Sequence, residues 1–455
     1  MQISRKLFLL VAALLVARLG AAAQAPDAGR LTLQQAVIMA LDKSPDHRIA
    51  ALDRAVAQAA ARKARTTMLP VLAFDETITR GNDPVYAFGT RLRQQRFTQE
   101  DFALNRLNRP TPINDFTTRI SGSWTAFDMG QTQFRIRQAD LLRASAEAAT
   151  SRADQELVHR VVTAYESVLL AGKRVEVARH QVKTAESLVA ASKSRVSAGV
   201  VVEADELSAS ANLAARQQEE IAAEGNLSIA WAELEQAAGA PIPEPERTLQ
   251  IFAAKQFDVP LLADAVATAL QMRPDRTSLE KQQAASHAGV QAARAALGPT
   301  VGTFGSWQTD RDSFAGSGGN NWTAGVQIKL DILPLARRQD LESAKISALR
   351  TQAVLDSADD AIRLDVTRAW YAQQAASRML GVAQAAQAQS EESLRILRNR
   401  YEAGLATVTD LLRAEDAERQ GAANYWQSAF QNTLAVVDLR SAMGTLSPEH
   451  LEDLQ

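Results

Sequence analysis

The chain repeats itself, and that repeat limits its architecture more than any other feature. A shift of 229 positions lays Ala36, Val37, Ala40, Leu41, Pro45 and Asp46 on Ala265, Val266, Ala269, Leu270, Pro274 and Asp275, and Pro70 on Pro299. Farther along, a shift of 205 pairs Val161 with Val366, Ala164 with Ala369, Arg195 with Arg400, Ala198-Gly199 with Ala403-Gly404, Asp205 with Asp410 and Gly239 with Gly444. The difference of 24 gives the first half an insertion after Pro70. Two ordered sets of matches describe a tandem duplication. The division is a leader at 1–25, a first repeat at 26–240, a Pro-rich linker at 241–250 and a second repeat at 251–455.

Each half has the same plan. A short helical stretch (Thr32–Lys43; Leu261–Met272) stops ahead of a proline, because the residue before proline is disfavoured in the helical region. A second helix runs on to Pro70 or Pro299, and then the apolar period changes from 3.6 to 2, the mark of strands. Between 115 and 127, Phe116, Thr118, Ile120, Gly122, Trp124 and Ala126 alternate with more polar residues. Between 321 and 331, Trp322, Ala324, Val326, Ile328 and Leu330 do the same. With weaker strands at 71–80 and 301–310, each half offers one hairpin, about 71–127 and about 300–331. The first encloses a long loop, about 81–114; the second a Gly-rich one, 313–320.

After each hairpin comes a long pair of helices, at about 128–239 and 335–443. From Asp128 to Ala198 there is no proline and only Gly130 and Gly172, enough for a helix of roughly 100 Å. Leu142, Ala146, Ala149, Ala153, Leu157, Val161, Ala164 and Val168 form a narrow seam of the coiled-coil kind. Gly199 and Gly404 stand where the helices turn back, since glycine enters the left-handed region that ends a helix. The fold class predicted is mainly α, with long antiparallel helical hairpins and four strands per chain.

Residues 1–25 read as a secretory signal: Arg5 and Lys6, the apolar run Leu7–Ala17, then Ala21-Ala22-Ala23. That run is short for a spanning helix, which needs about 20 residues. Its removal takes the formal net charge from −2 to −5. With 50 Lys+Arg against 52 Asp+Glu there is no basic excess to neutralise phosphates, so no nucleic-acid partner is expected. The absence of Cys removes thiolate chemistry and cysteine metal sites, and the five His show no metal-ligand spacing. No nucleophile–base pair or phosphate loop is recognisable. The chain is read as a non-enzyme without cofactor or metal.

Strands of about ten residues with one apolar and one polar face fit a tilted transmembrane strand. In lipid every backbone group needs a partner, so four strands with two open edges cannot stand alone. Several copies must close one barrel. Two would give eight strands, which enclose little beyond their own side chains, and three would give twelve, which leave a passage. The helices, rich in Arg, Glu and Gln, must project into water. The alternative is a soluble periplasmic coiled-coil adaptor or scaffold whose strands pack on a core.

Three motifs carry a resemblance: Trp124-Thr-Ala-Phe127-Asp128-Met-Gly130 at the strand-to-helix junction, Arg400-Tyr401-Glu-Ala-Gly404 with Asp410-Leu411-Leu412 at the helix-hairpin tip, and Ser441-Ala-Met-Gly444-Thr-Leu446 near the end. In this order the chain, from about Leu31 to Leu454, resembles the TolC-like outer-membrane efflux proteins. The resemblance implies a homotrimer with a twelve-stranded barrel in outer-membrane lipid and a periplasmic helical tunnel. It also implies a periplasmic adaptor (membrane fusion) protein and an inner-membrane RND or ABC transporter, as in tripartite efflux or type I secretion. The second junction, Leu330-Asp331-Ile332-Leu333-Pro334, departs from the family's Phe-Asp-Gly-Gly form.

By motif position, Asp205, Tyr401 and Asp410 match residues of the family's periplasmic gate or its acidic ring. Ala406 replaces a basic gate partner, and Arg413 stands where a second ring acid is usual. Asp410 has a second reading, since Thr407-Val-Thr-Asp410 also spells a helix capping box. The tip turns at Gly199 and Gly404 would face the adaptor. Trp124 and Trp322 suit the aromatic girdle of a membrane barrel or, alternatively, core packing. The loop 81–114, with Arg91, Arg93, Arg96, Arg106 and Arg109, is expected outside the cell, in contact with lipopolysaccharide, solvated or folded over.

Overall fold

The computed structural model describes residues 30–199, 201–243, 247–249 and 257–451. The predicted leader at 1–25 and part of the linker at 241–250 lie outside them. In chain order the helices and strands are α1 (Leu33–Lys43), α2 (Pro45–Thr66), β1 (Val71–Gly81), α3 (Pro84–Arg93), α4 (Leu104–Asn108), β2 (Ile113–Phe127), α5 (Gln131–Ser197) and α6 (Glu203–Ala238), then α7 (Leu262–Met272), α8 (Pro274–Ala295), β3 (Thr300–Arg311), β4 (Gly318–Lys329), α9 (Leu335–Glu402) and α10 (Val408–Ala442). The second set repeats the first without α3 and α4. Among the described residues no helix is long and apolar enough to cross a membrane.

The chain divides into two compact units, and each draws on both repeats. The first comprises Met1–His47, Asp154–Leu262 and Val366–Gln455. Its core gathers Leu33, Val37 and Ala40 of α1, Leu157, Val161 and Tyr165 of α5, Trp231 and Leu234 of α6, and Val436 and Val437 of α10. The α1 helix starts on a capping box in which Thr32 and Gln35 satisfy each other's backbone N–H. The Tyr165 hydroxyl, fully buried, donates to the Leu31 carbonyl at 2.8 Å.

The second unit, Arg48–Ala153 and Ala263–Asp365, contains the whole sheet. Its strands are antiparallel in the order β1-β2-β3-β4, so the two hairpins lie side by side. Helices α2 and α8 pack in this unit against its segments of α5 and α9. Ala285, Ala288, Ala292 and Ala348 are buried, and small side chains let backbones approach. Polar bonds fix the register: Arg65 to Asp140 at 2.9 Å, Arg276 to Asp359 at 2.7 Å, and Ser145 to Ser278 at 2.9 Å.

The junctions from sheet to helix differ as their sequences do. At the first, Asp128 accepts from the Gly130 and Thr132 N–H groups and the Thr132 hydroxyl, and Met129 and Gly130 take positive φ (57° and 82°). At the second, Pro334 precedes α9, and Asp331 pairs instead with Arg337 at 2.9 Å.

Candidate functional site

Register assigns every strand residue to one of two faces, because side chains alternate along a strand. Phe74, Ile120, Trp307 and Trp322 align in one row across all four strands, and Thr303 and Val326 align with Trp124 farther down the same face. Leu72, Phe74, Ile120, Trp124, Trp307, Trp322, Val326 and Ile328 of this face are all exposed in the chain. The opposite face carries Asp75, Thr77, Thr117, Arg119, Ser121, Gln308, Asn321, Thr323 and Gln327. A sheet with its apolar side outward and its polar side inward is the pattern of a membrane barrel around water.

The edges complete that argument. Among the described residues β1 pairs only with β2, and β4 only with β3. Each therefore presents a row of unpaired backbone N–H and C=O groups beside an apolar surface, which no hydrocarbon environment tolerates. Trp124 and Trp322 both lie on the apolar face and are exposed in the chain, so neither is a core residue of it. The Trp124 indole donates to the Met68 carbonyl at 2.8 Å. Trp307, beside Trp322, was not singled out from sequence, because its strand alternates weakly; only register places the two side by side.

The other candidate residues gather at the helix turns of the first unit. Gly199 and Gly404 have φ of +70° and +75°, and the Leu405 N–H reaches back to the Arg400 carbonyl at 2.8 Å to close the second turn. A cluster of Leu188, Ala209, Tyr401, Val408 and Leu411 packs the two hairpins together here. Tyr401 is buried in it, its ring beneath the Arg195 guanidinium at 4.4 Å. Arg195 also lies 3.4 Å from the Tyr401 carbonyl. Sequence reasoning missed this partnership, which joins the ends of α5 and α9.

Asp205 lies in the first turn of α6 beside Glu203 and Glu206, an acidic cluster matched to the positive end of that helix. Asp410 caps α10: its carboxylate accepts from the Thr407 N–H at 3.1 Å and hydroxyl at 2.7 Å, and its own N–H donates to Thr407 Oγ1 at 3.1 Å. Those bonds hold its carboxyl below the usual range, with Arg413 and Arg400 adding to the effect. Arg413 is exposed one turn into the same helix, and Ala406 packs against the apolar cluster.

A helical protein whose sheet carries one apolar face and is left open at both edges belongs to the class of outer-membrane channels with periplasmic helical extensions. The chain belongs to the outer membrane efflux protein family, whose pattern matches residues 36–240 and 265–445, one block in each repeat. It is 28% identical over 315 residues to Protein CyaE of Bordetella pertussis, covering 65% of this chain and 64% of that protein. It is 24% identical over 435 residues to the alkaline protease secretion protein AprF of Pseudomonas aeruginosa, covering 94% and 87%. Its fold is that of the Campylobacter jejuni outer membrane channel CmeC, with a TM-score of 0.78 at 18% identity over 93% of this chain and 89% of that one. The family is one of channels, not enzymes. Membership also removes the soluble-scaffold alternative.

Proposed function

We propose that the chain is one protomer of a homotrimeric exit duct that passively conducts cargo across the outer membrane. Three four-stranded sheets, joined β1 to β4, make a closed twelve-stranded barrel with the polar face around the passage. The helical hairpins continue the passage into the periplasm, where a periplasmic adaptor meets the turns at Gly199 and Gly404. An inner-membrane transporter of the RND or ABC class supplies the energy. The single observation that carries this reading is the apolar-faced sheet with two unpaired edges. The match to AprF, a secretion protein by name, supports a secreted polypeptide as one class of cargo.

At the periplasmic end, Asp205, Tyr401, Asp410 and Arg413 shape the entrance. Tyr401 and Arg195 tie the hairpins, and Asp410 serves both as helix cap and as one member of an acidic ring that Arg413 weakens. The test is purification from outer membrane in detergent followed by planar-bilayer recording. A trimer that forms discrete pores is the expected result. A folded, detergent-free monomer with no pore activity overturns it.

A further inference from the structure

The long segment between β1 and β2 is folded down onto the sheet. Gln94, at the end of α3, is buried, and its side-chain nitrogen lies 2.8 Å from the Asn114 carbonyl, 3.2 Å from Asp115 Oδ1 and 3.1 Å from the Arg311 carbonyl. The Arg93 guanidinium stands 3.6 Å from Asp115 and 3.8 Å from Asp310, both buried carboxylates. Asn321 reaches both Asp310, at 3.1 Å, and the Arg93 carbonyl, at 3.3 Å. At Gly319 a Cβ would fall 1.9 Å from that carbonyl, so the backbone of the segment passes directly over the strand.

The strand side chains in this network, Asp115, Asp310 and Asn321, lie on the polar face, and Asn114 and Arg311 take part only through their backbone carbonyls. Asp310 is opposite Thr117 on one side and Gly319 on the other, and Asp115 and Asn321 are each two positions from those partners. The segment also has structure of its own. Phe88, Phe97 and Phe102 pack edge to face at centroid distances of 4.8–6.5 Å. Asp101, buried, accepts from the Thr98 N–H and hydroxyl at 2.9 Å and pairs with Arg91 at 2.5 Å. A solvated loop needs neither a buried charge network nor an aromatic cluster.

We propose that residues 82–112 form a built-in constriction at the outer mouth of the barrel, latched to its luminal face by Arg93 and Gln94, and that this latch sets the size of cargo able to leave. The proposal rests on the reading of the polar face as the channel wall. Three copies around one barrel narrow the exit from three sides, independently of the periplasmic helix turns.

The absence of cysteine makes the test direct. A single thiol is placed by Thr323→Cys, on the polar face and farther from the mouth than Asp310. In intact cells a small membrane-impermeant maleimide added outside should label it, and a bulky polyethylene-glycol maleimide should not. Adding Arg93→Ala and Gln94→Ala should raise bulky labelling severalfold while SDS-resistant trimers persist. If that variant fails to assemble, a short Gly-Ser turn in place of residues 84–110 provides the same readout. Equal bulky labelling with the latch intact overturns the constriction and leaves the duct standing. Failure of the small reagent even on detergent-solubilised trimer overturns the luminal reading, and the constriction with it.

Discussion

Glu166 is the residue whose chemistry is least comfortable. It is buried on α5, lines an apolar cleft with Leu169, Trp231, Trp426 and Phe430, and its Oε1 has no hydrogen-bond partner. Desolvation pushes its carboxyl up to about 7. Between its unfolded value near 4.5 and that figure the folded protein holds a proton that the unfolded chain has released, so stability falls as pH rises through this window. The loss amounts to about 3 kcal/mol once the window is passed. Glu166→Gln keeps the shape without the charge. Denaturant midpoints in detergent at pH 5 and pH 8 should differ for the native protein and converge for the variant; an unchanged difference would clear Glu166 of the effect. Asp410 has the opposite sign, because its carboxyl is held low by Thr407: its contribution is present at neutral pH and disappears as pH falls below the usual carboxylate range. Thr407→Ala removes the cap and should cost about 1 kcal/mol, read as faster hydrogen exchange over 405–412. The Asp410 cap was readable because Thr407 stands three residues away. The Arg195–Tyr401 stack was not, since its members are far apart in sequence and belong to different hairpins.

At the scale of elements, three glycines with nearly the same backbone angle do different work. Gly199, Gly404 and Gly239 have φ between +70° and +75°, where an L side chain is strained by about 1–2 kcal/mol. Around Gly199 and Gly404 a Cβ would meet nothing within 4 Å. At Gly239 it would lie 2.7 Å from the Ser44 Cα and 2.8 Å from the Lys43 carbonyl carbon, backbone atoms that cannot swing aside. Gly404→Ala should therefore cost only its strain and leave the fold intact. Gly239→Ala should in addition part α6 from the end of α1 and lower the apparent Tm clearly further; equal shifts would show that close packing at Gly239 is unimportant. Helix pairs and strands were legible from period and breakers, because those signals are local. The fold of residues 82–112 was not. Its latch joins Arg93 and Gln94 to Asp310 and Arg311, more than two hundred positions away, and four of the loop's arginines, Arg91, Arg93, Arg96 and Arg106, pair with Asp101, Asp115, Asp310 and Asp312.

For the molecule as a whole the decisive property is that neighbouring strand positions face opposite sides of the sheet. Val326 and Gln327 are adjacent in β4 and both largely exposed in the chain, yet they point to opposite faces of the sheet. If the apolar face meets hydrocarbon, Val326→Lys places an ammonium group in lipid at a cost of up to about 2–4 kcal/mol per chain near the bilayer midplane. In the proposed trimer all three protomers would bear it, so the barrel should lose heat-resistant trimer and yield. Gln327→Lys should assemble normally, because its side chain enters water. It adds one positive charge per chain around the passage and should shift the reversal potential in a salt gradient toward anions, an effect that weakens as salt screens the new charges. The contrast is what tests the architecture. A sheet packed on a soluble partner through its apolar side would also resist Val326→Lys, but it would give Gln327→Lys no current to change.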